Sequence, residues 1–168
     1  MAFLEAYNLL KESGKRAIFM GATNYPSQVD EAMLDRITLV PVPLPDEEMR
    51  KDYFRRMFKR LPAEEGFSCE EMADCTDNYS FRDLSRLVET VNENIRKQAI
   101  AKYEIRDAEG KVDQKATDTA AAKAINDGAI RLTRALFNQV RESLPPSSKA
   151  DSRAELEAFE AKVKGLVG

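Results

Sequence analysis

The sequence predicts a mainly α-helical chain, in which two short parallel strands precede a helical bundle. Three observations carry this. Apolar residues recur at intervals of three and four through most of the chain beyond Pro45, the spacing of one helix face. Three Ser-x-x-acidic capping boxes, at Ser68–Glu71, Ser80–Asp83 and Ser152–Glu155, stand before such stretches. Only two runs, 16–20 and 38–42, are short and nearly continuous in apolar or β-branched residues, as strands buried on both faces are.

In chain order, Phe3, Leu4, Tyr7 and Leu10 give a helix fragment over residues 1–10, stopped by Ser13-Gly14-Lys15. Arg16-Ala17-Ile18-Phe19-Met20 reads as the first strand, and Gly21-Ala22-Thr23-Asn24-Tyr25-Pro26 ends it, because Pro26 gives no donor to a ladder. A helix of one or two turns follows over 27–34. The second strand, 38–42, is closed by Pro43-Leu44-Pro45, which marks the internal boundary: residues 1–45 on one side, 46–168 on the other. Asp46 is placed to cap a helix with the stripe Met49, Tyr53, Phe54, Met57, Phe58 and Leu61. Phe67 and Met72 flank the Ser68 box, and Tyr79 and Leu84 flank the Ser80 box, as hydrophobic staples do. Leu84, Leu87, Val88, Val91, Ile95 and Ala99 then define a long helix reaching towards Tyr103. Residues 107–113 read as a loop, 116–125 as an alanine-rich helix, Asp127-Gly128 as a turn and Ile130-Arg131-Leu132 as a short extended piece. Thr133 caps a helix bearing Leu136, Phe137 and Val140, which Pro145-Pro146 ends. A last helix carries Leu156, Phe159 and Val163.

Composition excludes several function classes. With 26 Lys and Arg against 29 Asp and Glu over 168 residues, the net charge is −3, which argues against broad nucleic-acid binding. No apolar stretch approaches the roughly 20 residues of a membrane-spanning helix, and the first residues lack a signal peptide's basic segment and apolar core. Two cysteines make no disulfide framework, so a reducing, cytoplasmic setting is expected. There is no histidine, which removes His-based acid–base catalysis, Ser-His and Cys-His pairs and His-ligated metals. Cys69 and Cys75 read as structural thiols, and no metal site is expected. The acidic residues Glu47, Glu48, Glu64 and Glu65 sit at helix starts or turns. Arg55, Arg56, Lys59 and Arg60 read as a solvated basic face. At Asn24 two readings stand. Composition favours an Asn that caps its own turn. An amide at the carboxyl end of a strand is also where an open parallel sheet presents polar groups to a ligand.

The segment Ile18-Phe19-Met20-Gly21-Ala22-Thr23-Asn24-Tyr25-Pro26, then 29–36 ending in Leu34-Asp35-Arg36, then Val42-Pro43-Leu44-Pro45, resembles the second half of an AAA ATPase module. The order and spacing agree over about 30 residues. Tyr79-Ser80-Phe81-Arg82-Asp83-Leu84 resembles the Y-S-G-A-D-L segment of that family's helical lid. The stretch from Asp127 to Thr133, then Leu144-Pro145-Pro146-Ser147, is similar to the end of the katanin, spastin and vacuolar-sorting branch. The resemblance is weak only over 103–125. It implies that the two strands end an α/β P-loop ATPase core, that residues 1–45 are the remnant of a large α/β subdomain, and that 46–168 are the lid. It places Asn24 at the sensor-1 position, which helps place the attacking water. It places Arg36 at an arginine-finger position, which reaches the nucleotide of the neighbouring subunit. Ser80, Phe81 and Arg82 fall where the lid faces the nucleotide. In the wider superfamily an arginine near Arg82 contacts the γ-phosphate; the alternative is a surface arginine paired with Asp83 or Glu89.

Three departures bear on this. No G-x-x-x-x-G-K-[ST] loop and no apolar strand ending in Asp-Glu occur in the 168 residues, so the phosphate cradle and the magnesium ligand are not in this chain. Met33, Leu34 and Asp35 precede Arg36, leaving one finger arginine where the family often has two. Phe81-Arg82 replaces the usual Gly-Ala. The expectation is therefore a C-terminal part of an AAA ATPase, inactive by itself. The resemblance implies that the complete parent uses ATP and Mg2+ in a ring of like subunits, expected to be a hexamer, to remodel a protein. The alternative is a non-catalytic helical interaction module derived from such a lid.

Overall fold

A computed structural model of the chain describes residues 2–16, 18, 20–23, 25, 28–34, 36–38, 40, 42–147, 154, 158–159 and 161. The chain divides into two units, Met1–Pro43 with Ala150–Gly168, and Leu44–Lys149.

In the first unit, helix α1 spans Ala2–Glu12. Ser13 donates its N–H to the Leu9 carbonyl at 3.0 Å and its hydroxyl to the Leu10 carbonyl at 2.7 Å, closing the helix end at the stop signal. Helix α2 is the single turn Glu31–Leu34; the Asp30 carboxylate accepts the Ala32 N–H at 2.7 Å and starts it. Ala17, Phe19, Leu39 and Pro41, four of the ten residues of the two expected strands, lie outside the described residues. The described members of those runs carry no ladder, and Ile18, Met20, Val40 and Val42 are 76–89% exposed. Apolar runs of this kind are built for burial on both faces, and two short strands do not hold without further sheet neighbours.

The second unit is helical, as the sequence predicts. Helix α3 spans Glu47–Met57, and the Asp46 carboxylate caps it by accepting the Met49 N–H at 2.8 Å. Its buried face is narrower than the expected stripe. Phe54 and Phe58 enter the core, while Met49 and Met57 are half exposed. The reason is Arg50, which occupies the inner face beside Phe54 and is only 6% exposed. Its Nη1 donates to the Pro45 carbonyl at 2.9 Å and its Nε to the Ala73 carbonyl at 3.2 Å, and Asp77 stands 3.6 Å away. Arg50 thus ties the chain entering α3 to the end of helix α4, Cys69–Asp74. Arg50→Met strips two inward-facing carbonyls of their donor and is expected to lower stability by about 2 kcal/mol, read from urea unfolding. A change below about 0.5 kcal/mol would show that water replaces the guanidinium there.

Ser68 caps α4 by accepting the Glu71 N–H at 3.3 Å. The box expected there is one-sided, because the Glu71 carboxylate turns instead to Arg134, which donates to both its oxygens. Helix α5, Phe81–Lys102, has the full box: Asp83 N–H to Ser80 Oγ at 3.2 Å, and Ser80 N–H to Asp83 Oδ2 at 3.0 Å. Its inner face is Leu84, Leu87, Val88, Val91, Ile95 and Ala99, all buried. The loop that follows closes on Asp107, whose Oδ1 accepts the N–H groups of Glu109 and Lys111, each at 2.9 Å. Gly110 takes φ +81°, which suits a residue without Cβ. Asp113 then caps helix α6, Gln114–Asn126, a cap hidden in what reads by sequence as loop. The small residues Thr117, Ala121 and Ala124 make up the buried face of α6, which packs on α5. Leu132 is fully buried and donates its N–H to the Pro62 carbonyl at 2.9 Å, in an isolated parallel bridge between residues 63 and 132. Thr133 caps helix α7, Arg134–Ser143, whose Leu136, Phe137 and Val140 complete the core. Phe137 meets Phe54 and Phe67 edge-on, with ring centroids 5.6 and 5.5 Å apart. The box expected at Ser152–Glu155 and most of the last helix lie outside the described residues; Ala154, Ala158, Phe159 and Ala161 are helical.

Candidate functional site

The sequence-predicted residues are divided between the two units. Asn24 lies outside the described residues. Beside it, Tyr25 donates its N–H to Thr23 Oγ1 at 3.0 Å. Arg36 is exposed. Its N–H donates to the Met33 carbonyl at 3.0 Å, and its Nη1 donates to the Ala32 carbonyl. A cation on the last carbonyls of α2 is favourable, so the guanidinium closes this turn from the solvent side.

In the second unit, Ser80, Phe81 and Arg82 form the start of α5. Ser80 is the cap, and its backbone is extended at φ −73° and ψ 163°. Phe81 is 48% exposed, its ring tilted against that of Tyr53 with centroids 5.7 Å apart. Arg82 is exposed. The surface pairs considered for it do not form: the Asp83 carboxylate is taken up by Ser80 and Ser147, and Glu89 accepts from the Ser85 hydroxyl at 3.3 Å. Burial works against the charge on Asp83, but hydrogen bonds from Ser80 and Ser147 outweigh it and hold the carboxyl below the ordinary range. The first-turn N–H groups of Phe81 and Arg82 have no intrahelical acceptor. The turn therefore offers the solvent an aromatic edge, a guanidinium and two backbone donors, with its one carboxylate turned inward.

Other titratable groups have structural employment. Arg134 donates its N–H to Glu64 Oε1 at 2.7 Å and stacks over Phe67, 5.5 Å from the ring centroid, besides its fork on Glu71. Glu70 is held to about 2 by its own backbone N–H, with Lys51 and Ser68 assisting. Cys69 and Cys75 are free, half-buried thiols, both pushed up by burial. No cluster of potential metal ligands occurs among the described residues. No helix among them is long and apolar enough to cross a membrane. Arg55 pairs with Asp52 and reaches Glu70 at 4.0 Å, while Arg56, Lys59 and Arg60 face solvent. The sequence reading missed the inward Arg50, the Arg134 fork and the tie from Asp83 to Ser147. Arg50 stands four residues before Phe54, Asp83 four before Leu87 and Arg134 three before Phe137, so the helical period sets them towards the apolar face, but it does not show which partners packing brings to them.

No family model matches the chain. A spastin of Nematostella vectensis is 33% identical over 88 residues, 51% of this chain and 15% of its own length. A katanin p60 ATPase-containing subunit A1 of Arabidopsis thaliana is 32% identical over 93 residues, 54% of this chain and 18% of its own. A spastin of Drosophila erecta is 29% identical over 138 residues, 80% of this chain and 16% of its own. The chain thus spans under a fifth of the length of these relatives. A solved structure from work on katanin self-assembly matches with a TM-score of 0.64, at 22% identity, over 92% of this chain and 53% of that one; at that identity it shows the fold. This chain is therefore a homologue of the AAA ATPases spastin and katanin, related to them over stretches of 51% to 80% of its length.

Proposed function

We propose that this chain supplies the C-terminal part of an AAA ATPase module that uses ATP hydrolysis to remodel a protein substrate in a ring of like subunits, a hexamer in the simplest assembly. Residues 1–45 finish the large α/β subdomain, and the helical unit beyond them is the lid. One observation carries the reading. The G-A-T-N-x-P segment with Arg36 occurs in one chain with a helical unit whose fold matches the katanin structure.

In this reading Asn24 orients the attacking water, and Arg36 meets the charge on the phosphoryl group bound by the next subunit. The start of α5 faces the nucleotide. There Arg82 has a free guanidinium and the turn has spare N–H donors, a combination that suits an anion; Phe81 and Ser80 line the same turn. ATP supplies the phosphoryl group, and Mg2+ has its ligands on elements outside this sequence. Positioning and charge stabilisation are nearly all a protein gives to phosphoryl transfer.

The test exchanges the matching segment of a katanin p60 subunit for this chain. The 168-residue chain alone is expected to release phosphate far below the ordinary turnover of about 1 s⁻¹, and the chimera to restore turnover. In the chimera, Arg82→Ala is expected to weaken ATP binding or slow hydrolysis about tenfold, on the order of 1.4 kcal/mol, with ADP affinity nearly unchanged. An effect within twofold makes Arg82 a surface charge only. A chimera that assembles and stays silent would favour the alternative, a non-catalytic interaction module.

A further inference from the structure

Asp83 is 4% exposed, yet its carboxylate serves two partners far apart in sequence. Oδ2 accepts the Ser80 N–H at 3.0 Å, the carboxylate's part in the capping box, and the Ser80 hydroxyl at 2.7 Å besides. The same oxygen accepts the Ser147 N–H at 3.3 Å and the Ser147 hydroxyl at 3.0 Å, across 64 residues. Two further ties run between the same stretches. The Tyr79 hydroxyl reaches the Leu144 carbonyl at 2.8 Å and the Arg141 carbonyl at 3.2 Å, and Arg141 Nη1 donates to the Cys75 carbonyl at 3.4 Å. Between Leu144 and Ser147 stand Pro145 and Pro146, which have no N–H to give and cannot continue α7. The exit from α7 therefore depends on side chains for its course, and two of these, Tyr79 and Asp83, are buried.

We infer that Asp83 is a clasp, a positioning residue that holds the segment leaving α7, up to Ser147, against the first turn of α5, so that this turn and the exit from α7 are set together. The turn so held carries Ser80, Phe81 and Arg82. A shift in its setting is therefore passed to the exit from α7, and by linkage the exit acts back on the turn. That the turn faces a nucleotide rests on the proposed function; the clasp itself does not.

The experiment uses the 168-residue chain without nucleotide, so its failure leaves the ATPase reading untouched. Asp83→Ala is expected to speed amide exchange at Ser147 at least tenfold, with Asp83→Asn intermediate because it keeps one acceptor oxygen. Exchange within twofold of wild type, with Leu84 to Ile95 still protected, would overturn the clasp. Ser147→Pro covers the case in which Asp83→Ala melts α5, since it removes both tail donors and leaves α5 intact. It is expected to raise the titration point of Asp83 towards that of a free carboxyl, followed by carbon NMR. It should also move the backbone shifts of Phe81 and Arg82, which share no hydrogen bond with Ser147. An unchanged titration point would overturn the clasp, and unmoved shifts would overturn the coupling.

Discussion

Arg36→Ala in the katanin chimera is expected to lower kcat by about 10³-fold or more while the subunits still assemble, a loss of about 4 kcal/mol of transition-state stabilisation. The expectation follows from the proposed role in trans. A guanidinium presented to a phosphoryl group bound by the next subunit acts where charge develops, and Met33, Leu34 and Asp35 leave no second arginine beside it. The competing role is also visible: Arg36 donates to the Ala32 carbonyl and closes the single turn of α2. Loss of that bond costs about 1 kcal/mol of local stability and leaves kcat alone. Arg36→Lys separates the two further, since an ammonium keeps the charge at the helix end but not the planar fork. Mixed rings give the decisive reading. If Arg36 acts in trans, the variant should inactivate the neighbouring subunit's nucleotide site and spare its own. A kcat within threefold of the parent chimera, in rings of normal size, leaves Arg36 as a helix cap.

Phe137→Ala is expected to destabilise the second unit by about 3–5 kcal/mol, a large part of the roughly 5–15 kcal/mol that holds a domain together. Phe137 is fully buried and its ring is met edge-on by Phe54 from α3 and Phe67 from the loop before α4. Truncation removes both aromatic contacts and leaves a cavity between α7, α3 and the loop before α4. Phe81→Ala is the matched control. That ring is half exposed and leans on the ring of Tyr53, so its removal should cost under about 1 kcal/mol. Urea unfolding followed by circular dichroism measures both. A cost for Phe137→Ala below about 1 kcal/mol would mean that the three-ring cluster is not the centre of the core.

The helices of the second unit were legible because their signals are local. Asp46, Ser80 and Thr133 cap the helices they precede, and the Leu84-to-Ala99 stripe is the buried face of α5. A cap needs one side chain and the next three residues, and a stripe needs only a period. Asp113 escaped because a helix built on Thr117, Ala121 and Ala124 has little apolar contrast to mark where it begins.

By itself the sequence determined the helical class of the chain, the punctuation of its elements and its kinship with spastin and katanin, since each of these is written in neighbouring residues or in a contiguous motif. Only the tertiary structure decided the employment of the charged residues. Arg50 lies on the inner face of its helix and binds carbonyls at both ends of a gap of more than twenty residues. Glu71 leaves its own cap for Arg134, and Asp83 extends its cap to Ser147. A charged side chain goes where its charge is best satisfied, and the partner that satisfies it is brought near by packing rather than by position in the chain.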